Sequence, residues 1–282
     1  MTSTQSEVEV AYDISNDFFK LWLDSNMHYT SAVYSRDDES LEEAQENKAR
    51  ILYDFAEVTP QKRVLDIGCG WGSMLDHVVR RGCKEAVGIS LSTEQTAWAN
   101  GRGHPNARFL VQDYHTYAPA EPFDALVSVE MIDHLCSPAQ AREGMAVDLY
   151  RAYFNKLASW VRPGSCFGFQ AILRNRIPRG RQDLLDLQFT ADVIFPGGLN
   201  PRLEELILAV NPSWEIEELH TRRTHYGRTT AEWLRRMRLH ETHIRKTWGN
   251  QVFDEYDRYL STCVRGFANH WSSDVQMKLR RI

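Results

Sequence analysis

Short apolar runs alternate with polar, helix-like stretches through the middle of this chain. Val64–Ile67 reads as a buried strand, and Ala86–Ser90, Arg108–Val111, Phe123–Val129 and Cys166–Ile172 repeat the pattern. Between them lie stretches with helix signals. Met74–Arg80 opens a helix after the first run. Ser92 is placed to cap a second, ahead of Glu94 and Gln95. Leu149–Val161 has apolar positions at helical spacing until Pro163 and Gly164 stop it. Strands alternating with helices predict an α/β fold with a mostly parallel sheet and crossovers on both faces. No internal repeat or low-complexity segment interrupts the alternation.

Two regions depart from it. Residues 8–57 are helical and aromatic before the first strand, behind a polar, frayed Met1–Ser6. Residues 174–205 carry arginines at 174, 176, 179 and 181, then the apolar Asp183–Phe189, then Ile194–Gly198. The spacing predicts a helical cap segment over 1–57 and a main domain over 58–282 with a lid insertion at about 174–205. Both additions should pack over the C-terminal edge of the sheet, where ligands bind in open α/β architectures. The arginine run reads either as a solvated loop or as a gate that anchors an anionic substrate.

The first strand ends in a turn with Gly68, Gly70 and Gly72 at alternate positions. Glycine tolerates positive φ and lets the backbone approach a ligand, so a strand that breaks into such a turn and opens a helix is a nucleotide-binding arrangement. The spacing is G-x-G-x-G, which differs from the dinucleotide fingerprint, and no Gly-Lys-Ser/Thr is present to cradle phosphate. Composition narrows the picture further. The 282 residues are 43% hydrophobic, with a net charge of −5 and a pI near 6.1. An acidic chain argues against a nucleic-acid partner, and no apolar run approaches membrane-span length, so no stable membrane insertion is expected. No secretory signal pattern opens the sequence. Cys69, Cys83, Cys136, Cys166 and Cys263 show neither metal spacing nor a disulfide framework, and a reducing cytoplasm is expected.

The segment Asp66–Gly72 (D-I-G-C-G-W-G) matches the first motif of S-adenosylmethionine (SAM)-dependent methyltransferases. Tyr12–Asp24, Tyr29–Tyr34, Ser40–Gln45, Gly88–Ser92, Phe195–Gly198 and His225–Tyr226 follow in the order seen in cyclopropane fatty acid synthase-like SAM-dependent methyltransferases, and the chain resembles that family over most of its length. The resemblance implies a Rossmann-like class I methyltransferase fold with a seven-stranded sheet, and SAM as cofactor. It implies that Tyr29 and Thr30 touch SAM from the N-terminal segment. Asp66, Gly68, Cys69 and Gly70 would pass under the methionine moiety, and Ser90, Leu91 and Gln95 would meet the ribose and adenine. Gln112, Asp113, Tyr114 and Val129 would complete the site. In the lipid-modifying members a bicarbonate serves as base. Its cysteine position is Ser31 here, its glutamate Asp133, its histidine Gln170 and its tyrosine Tyr226. These departures, with an apparent insertion at Ser137–Val147, point away from lipid cyclopropanation. Ser128–His134 also resembles the S-x-E-M-F-E-H motif of plant alkaloid N-methyltransferases, which act on small heterocycles.

Methyl transfer to a carbon or amine leaves positive charge on the acceptor and a proton to remove. Carboxylates and histidine serve both needs. Glu130, Asp133 and His134 follow the fourth strand and are the candidate catalytic residues with Tyr226, Asp133 and His134 first among them. Each also has an ordinary reading: Glu130 as a partner of a backbone amide or of the cofactor amine, His134 as a satisfied buried histidine, Tyr226 as packed aromatic. Phe18, Trp22, Tyr34, Gln170 and Phe189 are candidate substrate-wall residues, although aromatics at these spacings also read as core. His225, Trp233 and Leu234 read as structural. His240 and His243 form no metal motif, so no metal is expected. The function expected is SAM-dependent methylation of a small molecule, first at an electron-rich indole-like or alkene carbon in secondary metabolism. N-methylation of a heterocyclic amine, modification of an unsaturated acyl chain and a non-methylating cyclase or binding role are the alternatives. The partner expected is a small-molecule acceptor, and a homodimer stays open.

Overall fold

The computed structural model describes residues 14–282. Tyr12, Asp13 and the polar Met1–Ser6 lie outside the described residues. Five strands, β1 (Arg63–Ile67), β2 (Glu85–Ser90), β3 (Ala107–Val111), β4 (Phe123–Val129) and β5 (Val161–Arg174), run parallel. With β6 (Trp214–Thr221) and β7 (Ser272–Arg281) they form a seven-stranded sheet in the order β3-β2-β1-β4-β5-β7-β6. β7 is antiparallel to both neighbours.

Helices α1 (Asn16–Lys20) and α2 (Leu41–Phe55) precede the sheet. Ser40 and Glu43 form a reciprocal capping box at the start of α2. The crossovers hold α3 (Ser73–Arg81), α4 (Thr93–Gly101), α5 (Pro138–Arg142) and α6 (Ala146–Ala158). Ser92 caps α4 through Gln95 N, as its position predicts. α5 occupies the segment that looked like an insertion. After β5 come α7 (Arg181–Phe189), a π-helical turn (Thr190–Ile194) and α8 (Leu203–Val210). α9 (Arg223–Leu239), α10 (Glu241–Trp248) and α11 (Asn250–Ala268) separate β6 from β7. The apolar spacing predicts that the helix before β5 runs to Val161. It stops at Ala158 because β4 claims the backbone beyond: Phe123 N donates to Trp160 O at 2.8 Å, and Val161 pairs with Phe123. Among the described residues no helix is long and apolar enough to cross a membrane.

Side-chain alternation along the central strands sends residues to two separate cores. Leu65, Ile67, Val87 and Ile89 pack with Tyr150, Tyr153, Phe154 and Leu157 of α6. Val64, Ala86 and Val127 pack with Ala49, Leu52 and Phe55 of α2 and with Leu75 and Val78 of α3. A third cluster joins Phe18, Phe19 and Trp22 to Trp233, Tyr256, Tyr259 and Phe267 of the late helices.

Gly168 sets how closely α2 can approach the sheet. A Cβ there would lie 2.5 Å from the carbonyl oxygen of Leu52, and backbone cannot rotate away as a side chain can. Gly168→Ala should therefore destabilise the fold by roughly 1–3 kcal/mol, as overpacking does. A lower denaturant midpoint with an unchanged slope would show this. An unchanged midpoint would mean that α2 has slack against β5.

Candidate active site

A cavity of about 510 Å³ opens at the C-terminal ends of β1, β2 and β4. It lies where the strand order reverses, the position at which open α/β sheets bind ligands. Gly68, Gly70 and Gly72 all have positive φ, and Gly68 N and Cys69 N both donate to Ile89 O. The turn is thereby tied to β2. Asp66, Gly68, Cys69, Gly70, Ser90, Leu91, Gln95, Gln112, Asp113, Tyr114 and Val129 line the cavity, and Tyr29 and Thr30 reach it from the N-terminal segment. The cofactor residues expected from the resemblance are thus brought to one place. Burial holds the Cys69 thiol well above its ordinary pKa, which argues against a nucleophilic role.

Asp66 is 1% exposed, and its Oδ1 has no hydrogen-bond partner among the described residues. Burial pushes its carboxyl up to about 7, with the charge of Lys48 offsetting part of that rise. A buried acceptor without a donor in a cavity wall fits a ligand that brings its own cation, as the ammonium of SAM does.

Glu130, Asp133, His134 and Tyr226 line the same cavity. Glu130 is the most elaborately held. Its backbone is left-handed, with φ of 53°, a conformation uncommon outside glycine. Its Oε1 accepts from Ser31 N at 2.8 Å and from Gln170 Nε2 at 2.7 Å, and its Oε2 from the Tyr226 hydroxyl at 2.6 Å. Burial raises its carboxyl above the ordinary glutamate value, against the lowering effect of those donors. Gln170 Oε1 in turn accepts from Gln276 Nε2 at 2.8 Å, and Gln276 Oε1 from Arg222 Nε at 2.9 Å.

Ser31, Gln170 and Tyr226 were expected to share an anion site with Asp133. They converge on Glu130 instead, three positions earlier. Asp133 turns elsewhere: its Oδ2 lies 3.8 Å from Nε2 of His134, and its carbonyl accepts from Leu199 N, between the π-helical turn and α8, at 2.8 Å. Burial raises the Asp133 carboxyl, and His134 draws it partly back.

None of the five expected substrate-wall residues lines the cavity. Phe18 and Trp22 are fully buried in the third core cluster, where their rings meet each other, Tyr256 and Trp233 edge-on or tilted and so leave no face to a ligand. Tyr34 stacks on His225 and lies under Arg228. Phe189 lies 4.2 Å beneath the guanidinium of Arg258. Gln170 acts behind the wall, through Glu130. Phe195, Tyr259 and Phe267 take the lining positions instead. Lys48, also in the wall, was missed. The signal was present: it shares the inward stripe of α2 with Leu41, Ala44, Ala49 and Leu52, a place where lysine is rare. Trp233 and Leu234 are core, as expected. Glu57, Cys166 and Glu217 come together away from the cavity, where Lys278 and Arg280 already pair with both carboxylates.

The strand order, the glycine turn and the cavity at the sheet's reversal define a class I SAM-dependent methyltransferase. A family profile described as mycolic acid cyclopropane synthetase matches residues 1–277, and the chain belongs to that family. Cyclopropane mycolic acid synthase 2 of Mycobacterium tuberculosis is 29% identical over 95% of this chain and 92% of its own length. The structure of the cyclopropane synthase MmaA2 from M. tuberculosis matches with a TM-score of 0.90 at 25% identity, covering 99% of each chain. That of mycolic acid cyclopropane synthase CmaA1 complexed with SAH and CTAB matches at 0.89 and 23%, again covering 99% of each.

Asp66 yields a prediction that separates stability from binding. Its folded value near 7 lies above the ordinary 3.8. The stabilisation this represents is present below the lower value and is lost as pH rises to the higher one. At about 1.4 kcal/mol per pH unit, the loss amounts to roughly 4 kcal/mol at most. Asp66→Asn should therefore raise the unfolding temperature of the ligand-free protein at pH 8 and change it little at pH 4, while weakening SAM binding in calorimetry. A lower unfolding temperature at pH 8 would contradict the assignment of Asp66 as an uncompensated buried acid.

Proposed function

We propose that this enzyme transfers a one-carbon unit from SAM to a carbon of an electron-rich double bond, with Glu130 as the base. The observation that carries the reading is the convergence of Ser31 N, Gln170 and Tyr226 on one buried carboxylate in the cavity wall. Bound SAM supplies an electrophilic methyl on a sulfonium. The chain's own residues do the rest. Tyr29, Thr30, Asp66 and the glycine turn orient the cofactor, and Gln95 and Gln112–Tyr114 meet its nucleoside end. As one carbon of the double bond takes the methyl, the S–CH3 bond breaks with its electrons going to a neutral thioether. The neighbouring carbon becomes cationic, and the carboxylates of Glu130 and Asp133 offset that charge. A proton on the added methyl or on a carbon next to the cation then leaves to Glu130, its C–H electrons closing the ring or restoring a double bond. Among the described residues Oε2 accepts from the Tyr226 hydroxyl alone and retains capacity for the proton. His134 stands beside Asp133 as a second polar group.

An unsaturated acyl chain is the acceptor class we favour. Its support is the likeness to synthases named for cyclopropane formation on mycolic acids, at 29% identity. A compact acceptor is the second reading: an indole-like ring methylated at carbon in secondary metabolism, or a heterocyclic amine methylated at nitrogen. What favours it is the cavity of about 510 Å³, which has to hold cofactor and acceptor together and lies within the range of small-molecule sites. The full set of cofactor residues in one wall supports turnover over a binding-only role. A cytoplasmic setting is part of the proposal and accords with five free cysteines. Methyl-labelled SAM distinguishes the acceptors. Label in a cyclopropane or branched acyl product supports the first reading; label only in an aromatic ring, with no acyl product, supports the second and removes the first.

Glu130→Gln keeps the shape and removes the base. It should lower kcat on the order of a hundredfold or more with SAM affinity within a few-fold of the parent. The parent's kcat should fall as pH drops, because the base must be ionised, with a midpoint above the ordinary glutamate value of about 4.3. Full turnover by Glu130→Gln, with the acid limb intact, would mean that the proton leaves to another group.

A further inference from the structure

Lys48 is 1% exposed, and lysine is almost never buried so completely without a partner of opposite charge. Its Nζ donates at 2.7 Å to the hydroxyl oxygen of Thr30, a neutral acceptor. No carboxylate lies within ion-pair distance of it among the described residues. An ammonium has three donors, so two remain for the cavity that both Lys48 and Thr30 line.

The surrounding acids are differently engaged. Asp24 accepts from the backbone and ring of His28. Glu130 is held by three donors. Asp274 is buried and absent from the cavity wall. Of the four acids whose charge acts on Lys48, Asp66 alone lines the cavity with a buried oxygen that lacks a partner among the described residues; Asp133 Oδ1, also unpartnered in the wall, sits past β4 beside His134. Its strand neighbour Val64 packs against α2, the helix that carries Lys48, and residues two apart on a strand share a face. One unmatched cation and one unmatched anion therefore face the cavity from the α2 side of the sheet, too far apart to pair with each other. A ligand with a carboxylate and an ammonium on one carbon satisfies both.

We propose that Lys48, with Thr30, receives the carboxylate of the cofactor's amino-acid end while Asp66 receives its ammonium. The inference rests on the cofactor site at the glycine turn and adds Lys48 to it as a specificity-determining residue. Because Thr30 accepts from Lys48, its own hydroxyl proton is free to donate to the same carboxylate. The surrounding acids keep the ammonium charged despite a burial that lowers its pKa to about 8.

Calorimetry with three probes tests this without an acceptor: SAM, decarboxylated SAM, and 5′-methylthioadenosine, which lacks the amino-acid end. The parent should prefer SAM to decarboxylated SAM. Lys48→Met should weaken SAM on the order of 30-fold or more, as truncation of one partner of a buried charge pair does. It should erase the preference over decarboxylated SAM and leave methylthioadenosine within about twofold. Thr30→Val should produce a smaller loss with the same selectivity. Equal losses for SAM and methylthioadenosine, or an unchanged SAM affinity, would overturn the clamp. A parent protein that binds none of the three would overturn the cofactor site itself.

Discussion

Arg222 can only donate hydrogen bonds, and that constraint runs through two glutamines to Glu130. Because Arg222 Nε donates to Gln276, the carbonyl end of that amide faces the arginine and its NH₂ faces Gln170. The same logic turns the NH₂ of Gln170 toward Glu130. A glutamine can present either end, and one fixed cation removes the choice at both. Glu130 therefore meets a donor, and its carboxylate form is supported even though burial opposes it. Reversing any link would set acceptor against acceptor in a buried site, at a cost comparable to a lost hydrogen bond for each group left unmatched.

The carboxylate at the end of that chain also carries local strain. Glu130 holds a left-handed backbone while its amide donates to Gln170 O, so main chain and side chain are both tied to the same residue of β5. Strained, non-glycine backbone tends to persist where surrounding contacts over-determine it. Here the contacts come from the N-terminal segment, β5 and α9, three parts of the chain far apart in sequence that converge on this group. Rigidity of that kind suits the role proposed for Glu130, in which it stays in one place while charge develops next to it.

The sequence displays the five parallel strands and the glycine turn because their physical requirements are local: apolar runs of strand length, and glycine where φ is positive. β6 and β7 are harder to read. β7 buries Asp274 and Gln276 among apolar residues, so its pattern looks polar although the strand lies inside the sheet. The same difficulty applies to the site. Cofactor residues sit at strand ends and follow motif spacing. The aromatics of the N-terminal segment have no such marker, and nothing local separates a ring that faces a ligand from one that faces other rings. Whether Glu130 or Asp133 takes the donors is decided by the backbone at Glu130, three residues from Asp133, and by residues 40 to 99 positions away.

The place of β7 in the sheet has a consequence for how the protein is made. Among the described residues β6 pairs with the sheet only through β7, yet β7 follows it in the chain by three helices. While a ribosome extends the polypeptide, β1 to β5 can assemble as they emerge, but β6 has no edge to join until β7 arrives. Gln276 arrives with it. Until then Gln170 lacks the neighbour that orients it, so the glycine turn after β1 can form before Glu130 is aligned. The residues that converge on Glu130 are thus completed only when the last strand is in place.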